Sequence, residues 1–218
     1  PQPPDLKDLY RLYSFIVLNK RTTVLEFGTG YSTLVMHYAL MQNKKKFGNQ
    51  KPFERCNHPY EIFTIDDNNF FSKISKDRIK KFSKKLKYVN FFHSKVQMTK
   101  YQGNFAVEYK KLPRVNPDFI YLDGPNQWAP KNNINNFTTA HLDMMPMSCD
   151  IAKIENFLTP GTIIVSDGRT ANSLFLKNCF KRNWIFKRDI KNDQIYFILN
   201  EQSLGKYNSQ QLDFYKTK

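Results

Sequence analysis

"VLEFGTGYS", residues 24–32, carries an apolar, partly β-branched run into an acid, then two glycines one residue apart, then a serine. A short apolar run of this kind suits a buried parallel strand better than an amphipathic one. Glycine tolerates positive φ and lets a ligand approach the backbone, so Gly28-Thr29-Gly30 reads as a tight strand-to-helix turn of the nucleotide-binding kind. The helical pattern that resumes over 31–42 completes a strand, glycine turn and helix.

Outward from this unit the same alternation continues. Residues 4–20 place Leu6, Leu9, Leu12, Tyr13 and Ile16 at helical spacing, with Asp5 as cap. Strands are expected over 61–66, 87–94, 117–123 and 159–167, and helices over 68–86, 148–158 and 171–181. The stretch 95–113 reads as a hairpin around Gly103-Asn104, with a short helix as the alternative. Two apolar runs, "WIFKRD" and "QIYFIL", form an expected antiparallel pair at the C-terminal end. The basic segment 43–60 is expected to be a long loop, either a flap or an insertion, and 126–147 a polar connection.

The 218 residues fit one domain, 1–218, able to bury a core without disulfides or metal. No apolar run approaches the roughly 20 residues that cross a bilayer. Cys56, Cys149 and Cys179 stand far apart with no CxxC spacing, so a reducing, cytoplasmic setting is the expectation. The chain opens at Pro1, which leaves room for an upstream segment. The formal charge of +15 is spread along the sequence rather than gathered into one stripe, and a nucleic-acid partner is carried as the second reading.

Alternating strands and helices imply an α/β fold, a mostly parallel sheet covered on both faces. Ligands of such sheets bind beyond the carboxyl ends of the strands. Four of the five expected parallel strands end at or near a carboxylate: Glu26, Asp66 with Asp67, Asp123 and Asp167, while the remaining one ends at His93-Ser94. A phosphate loop is excluded because no Lys follows Gly30 at the required spacing. An NAD turn is disfavoured because Thr33 stands where the third glycine would be. Glu26 suits a cationic amino group, and Asp66 can accept two hydrogen bonds from a ribose diol. An ammonium group, a ribose and an adenine without phosphate describe S-adenosylmethionine.

In these residues the sequence resembles the class I S-adenosylmethionine-dependent methyltransferases, and within them the small-molecule O-methyltransferases. "LEFGTGYS" is similar to their first motif, "FTIDDN" to the second-strand motif, "FIYLDGP" to the fourth and "IIVSDG" to the fifth, over about residues 20–200. The resemblance implies a Rossmann-like, doubly wound, mostly parallel seven-stranded sheet with helices on both faces and a C-terminal antiparallel pair. It implies that Gly28, Gly30 and Ser32 hold the methionine moiety, Glu26 its amino group, and Asp66 or Asp67 the ribose. His93 and Ser94 would lie by the adenine, and Asp123 near the sulfonium and the acceptor. In the metal-using members an acid follows the fourth strand and an Asp-Asn or Asp-Asp pair the fifth. Asp123 and Asp167 match two of these positions as ligands for Mg²⁺, and Gly168 does not match the third. His141 is a candidate general base because its pKa lies near neutrality, with a plain loop histidine as the alternative. The segment 126–147, with Trp128 and "DMMPM", is the expected acceptor side. The expected function is methyl transfer to a small-molecule or sugar-type acceptor at oxygen. The alternatives are an RNA methyltransferase or a non-catalytic nucleoside-binding domain.

Overall fold

The computed structural model describes residues 4–48, 51–83 and 86–216. Helix α1 spans Leu6–Leu18, and the Asp5 carboxylate accepts from the backbone amides of Lys7 and Asp8 at its start. Strand β1 (Thr23–Phe27), helix α2 (Tyr31–Phe47), β2 (Glu61–Asp66), α3 (Asn69–Phe82) and β3 (Val89–His93) follow. Next come β4 (Val96–Tyr101), β5 (Asn104–Tyr109), β6 (Phe119–Leu122), α4 (Asp150–Ile154), β7 (Ile163–Asp167) and α5 (Thr170–Cys179). The described chain closes with β8 (Trp184–Asp189), β9 (Gln194–Leu199) and α6 (Lys206–Lys216).

Seven strands form one sheet in the order β3-β2-β1-β6-β7-β9-β8. β9 is antiparallel to both β7 and β8, and the other pairings are parallel. The strand order reverses between β1 and β6, which opens a crevice at their carboxyl ends. Every residue of β1 is buried, and its side chains alternate between two cores. Val24 packs with Leu12 and Ile16 of α1, Met36 and Leu40 of α2 and Ile79 of α3. Leu25 and Phe27 face the opposite core, built with Ile151 of α4, Leu176 of α5 and the β4–β5 ribbon.

The hairpin reading of 95–113 holds. β4 and β5 pair as a separate two-stranded sheet around Gln102-Gly103, both at positive φ, one residue earlier than expected. The long loop expected over 43–60 starts late, because α2 runs on through the lysines to Phe47. The buried Asn43 amide donates to the carbonyls of Ile16 and Arg21 and holds this last turn against α1. Lys44, Lys45 and Lys46 then sit at a helix C-terminus, where the dipole favours cations. Residues 49–50 of that segment lie outside the described residues.

Helix α6 is an element that the sequence pattern does not announce. It docks at the amino ends of the strands, where Tyr215 Oη donates to Asp118 Oδ2 at 2.8 Å and the Arg21 guanidinium lies 4.0 Å over the Tyr215 ring. The same buried carboxylate accepts from the amides of Thr22 and Thr23 and from the Thr22 hydroxyl. One side chain thus joins the starts of β1 and β6 to the last helix. Tyr215→Phe removes a hydrogen bond to a charged group, so urea denaturation is expected to show a loss of about 2 kcal/mol. An unchanged midpoint would mean that α6 does not depend on this link.

Candidate functional site

A cleft of about 440 Å³ opens over the carboxyl ends of β1, β2, β6 and β7, a volume suited to a small ligand. Its floor is the glycine turn after β1. Gly28 (φ 91°) donates its amide to the Ile65 carbonyl at 2.8 Å. A Cβ on Gly28 would meet the Asp123 carbonyl carbon and the Gly124 nitrogen at 3.0 Å; one on Gly124 would meet Gly28 N at 2.6 Å. The ends of β1 and β6 therefore approach at a distance that only two glycines allow.

Each carboxylate expected at the site has a distinct position. Glu26 is fully buried beneath the turn and accepts from the Ser32 hydroxyl and from Thr33 Oγ1 at 2.7 Å. It does not line the cleft; Ser32 does. Both of these hydroxyls belong to the first turn of α2. Asp66 accepts from the amides of Thr29 and Asn68, each at 2.8 Å, and so ties β2 to the glycine turn. Asp67 also lines the cleft and makes no hydrogen bond or ion pair to another side chain among the described residues. Burial raises both carboxyls above the ordinary range, and for Asp66 the two amides pull the other way.

Gly28, Gly30, Ser32, Asp66, Asp67, Asp123 and Asp167 come together at the cleft. Besides Glu26, three expected residues stay outside it. His93 is exposed at the end of β3. Ser94 is buried, but its hydroxyl accepts from the Lys111 amide at 2.9 Å and joins the ribbon to the strand beside it. His141 stands on the surface 3.5 Å from Asp143 and does not line the cleft. The 126–147 connection contributes only Asn126 to the lining; Asn132 instead bonds the backbone of Met98, and Phe137 stacks on Phe105 of the ribbon. The wall opposite the glycine turn is built by Pro4, Asp5, Asp8 and Leu9 at the start of α1 and by Phe71, Ile74 and Arg78 of α3.

Sequence reasoning missed Tyr109, Tyr121, Arg78 and Arg169 in this lining. Arg169 follows "SDG" directly, and that adjacency was its only signal. Its guanidinium donates to the Pro125 carbonyl at 2.7 Å and to the Asp123 carbonyl, with Nε 3.7 Å from Asp123 Oδ1. Asp167 is held up at about 6 by burial and by the nearby Asp123. These two acids do not fit a divalent cation. Gly168 offers no side chain, a guanidinium already contacts Asp123, and no group of three His, Cys, Asp or Glu side chains able to hold a metal occurs among the described residues. The expected Asp123–Asp167 pair is thus met by Arg169 at one acid and gains no third such side chain among the described residues.

A second cavity of about 240 Å³ lies at the amino ends of the strands. Its buried polar groups are bonded to one another, Asn208 to Gln211 and Thr23 to the His58 carbonyl.

The seven-stranded order, with one antiparallel strand inserted next to the edge, is the Rossmann-like fold of class I S-adenosylmethionine-dependent methyltransferases. The structure is similar to the methyltransferase PaMTH1 of Podospora anserina in its SAH-bound form (TM-score 0.51, 13% identity, 91% of this chain and 80% of that one). It is also similar to a Staphylococcus aureus protein described provisionally as a caffeoyl-CoA O-methyltransferase (TM-score 0.50, 11% identity, 92% and 86%). At such identities the likeness is one of fold. No protein-family model matches the sequence, and no curated protein matches it.

Two predictions follow from the geometry. Calorimetric titration with Mn²⁺ is expected to show no saturable binding, and a stoichiometric heat lost in Asp123→Asn would contradict the reading of Arg169. The second concerns Glu26, whose carboxyl burial raises from 4.5 to about 8, against the hydroxyls of Ser32, Thr33 and Thr64. The folded state then holds a proton that the unfolded chain releases, so the stability from this group is full below about pH 4.5 and is lost as pH rises to about 8. The thermal midpoint of Glu26→Gln should therefore fall less than the parent's between those pH values. Parallel curves would place the Glu26 carboxyl near its ordinary value.

Proposed function

We propose that this chain is an S-adenosylmethionine-dependent methyltransferase acting on a small-molecule acceptor at oxygen. The observation that carries the proposal is the charge of the cleft. Asp5, Asp8, Asp66, Asp67, Asp123 and Asp167 line it, against Arg78 and Arg169, six acids to two cations in a chain of net charge +15. Such a cleft suits a ligand bearing a sulfonium and an ammonium group, and it repels a polyanion. The SAH-bound form of PaMTH1 lends support.

In this reading Gly28 and Gly30 allow the methionine moiety close to the backbone, and Ser32 offers its hydroxyl. Asp67 takes the ribose diol, because it accepts from no residue but its own amide, whereas Asp66 is occupied with the glycine turn. The bound cofactor supplies an activated methyl group. Asp123 accepts the proton of the acceptor hydroxyl, and Arg169 fixes the loop that carries Asp123. Transfer of this kind depends chiefly on holding the acceptor in line. The acceptor is enclosed by the first turn of α1 and by the β6 loop rather than by 126–147. The RNA reading rests on the net charge of +15 and on the basic segment 43–55, none of whose described residues lines the cleft.

Calorimetry with SAH tests the proposal. Asp67→Asn is expected to lower affinity roughly tenfold or more with an unchanged thermal midpoint, the loss of a hydrogen bond to a charged group. Asp66→Asn is expected to lower both affinity and midpoint. Failure of the parent protein to bind SAH would end the cofactor reading. Binding without turnover on pools of hydroxylated small molecules and of RNA would favour a nucleoside-binding domain instead.

A further inference from the structure

Tyr109 is the last residue of β5, carried to the cleft by a ribbon that is not part of the main sheet. Its position is fixed from two sides. The backbone amide donates to the buried Asp150 carboxylate at 3.0 Å, and the ring leans on Phe27 with centroids 6.0 Å apart. The residue is 4% exposed, lines the cleft, and its hydroxyl has no hydrogen-bond partner among the described residues. That hydroxyl sits against the Gly28–Gly124 contact: a Cβ on Gly124 would lie 2.8 Å from Tyr109 Oη and 2.6 Å from Gly28 N.

A buried hydroxyl without a partner destabilises the fold, and phenylalanine would fill the same space without that penalty. The hydroxyl therefore has no use in the ligand-free protein that its ring does not already serve. Its surroundings define what would use it. Burial, then Asp66 and Asp67, raise the phenol well above its ordinary pKa, so it keeps its proton and is a donor. Asp67, which also lines the cleft, accepts from its own backbone amide and from no other residue among those described, so it keeps acceptor capacity for a ligand. A ligand hydroxyl placed between them would donate its own proton to Asp67 and accept the phenolic proton from Tyr109, which satisfies both groups.

We propose that Tyr109 is a cofactor-binding residue whose hydroxyl donates to a ribose hydroxyl oxygen of the bound nucleoside, as the counterpart of Asp67. The nucleoside rests on the methyltransferase reading above; the orphaned donor and the acceptor capacity of Asp67 do not. The pair would distinguish ligands that carry a vicinal diol from those that lack one.

The test is Tyr109→Phe in the whole chain, with the thermal midpoint measured without ligand and SAH affinity measured by calorimetry. The midpoint is expected to stay or rise, because an unsatisfied hydroxyl has gone, while SAH affinity falls roughly tenfold. In an Asp67→Asn background the same change is expected to weaken SAH binding less than twofold, because the shared hydroxyl is no longer held. Unchanged SAH affinity in Tyr109→Phe, with the parent binding SAH, would overturn this assignment and leave the cofactor reading intact. A lower midpoint accompanying the weaker binding would mark a structural hydroxyl and overturn it too. No SAH binding by the parent would overturn both readings together.

Discussion

The contact between the backbones of Gly28 and Gly124 is the constraint on which the site depends. At a switch point the connections from two paired parallel strands leave towards opposite faces of the sheet and open a crevice beyond their carboxyl ends. Here the chain leaving β1 and the chain leaving β6 meet where no Cβ fits on either. The crevice therefore has a floor made of backbone, and the surrounding side chains are arranged to hold it. Asp66 ties the turn from the β2 side, Arg169 clamps the β6 loop from the β7 side, and the Tyr109 hydroxyl lies against the contact in the cleft lining. Three elements distant in sequence converge on two residues without side chains.

Charge then separates the inside of this molecule from its surface. Lysines at the end of α2 and along α3 favour solubility and leave the carboxylates at the strand ends unpaired by them. The cleft keeps its own balance with two arginines, of which Arg78 is stacked 3.6 Å over Tyr31 and Arg169 is committed to the β6 loop. Net charge taken over the whole sequence points towards a polyanion. The distribution within the fold points the other way.

Much of this architecture was legible in the residues. Four of the five parallel strands are short apolar runs whose composition states their burial, and the acids at their ends mark the ligand side of the sheet. Helix α6 was not legible, because its sequence, KYNSQQLDFYK, buries the amides of Asn208 and Gln211 rather than an aliphatic stripe. The site was readable where backbone chemistry dictates it, as at Gly28 and Gly30, and unreadable where side-chain direction decides. Asp66 and Asp67 are equivalent as letters, yet one is consumed by the turn and the other accepts from no residue but its own amide. His93, Ser94 and His141 stand in the right segments but face elsewhere, a matter of register and loop path. Tyr109 and Arg169 required the tertiary fold, since neither belongs to a strand-end pattern.

The division of labour between Asp66 and Asp67 has a consequence for how such a site changes. Bracing the turn and meeting the ligand are duties often combined in one carboxylate, so that altering ligand preference also loosens the loop. In the reading proposed above the two duties fall on neighbouring residues, bracing on Asp66 and the ligand on Asp67. Position 67 is thus free to explore other chemistries while the scaffold at 66 stays intact, and new ligand preferences are open to the fold without first weakening the turn that would present them.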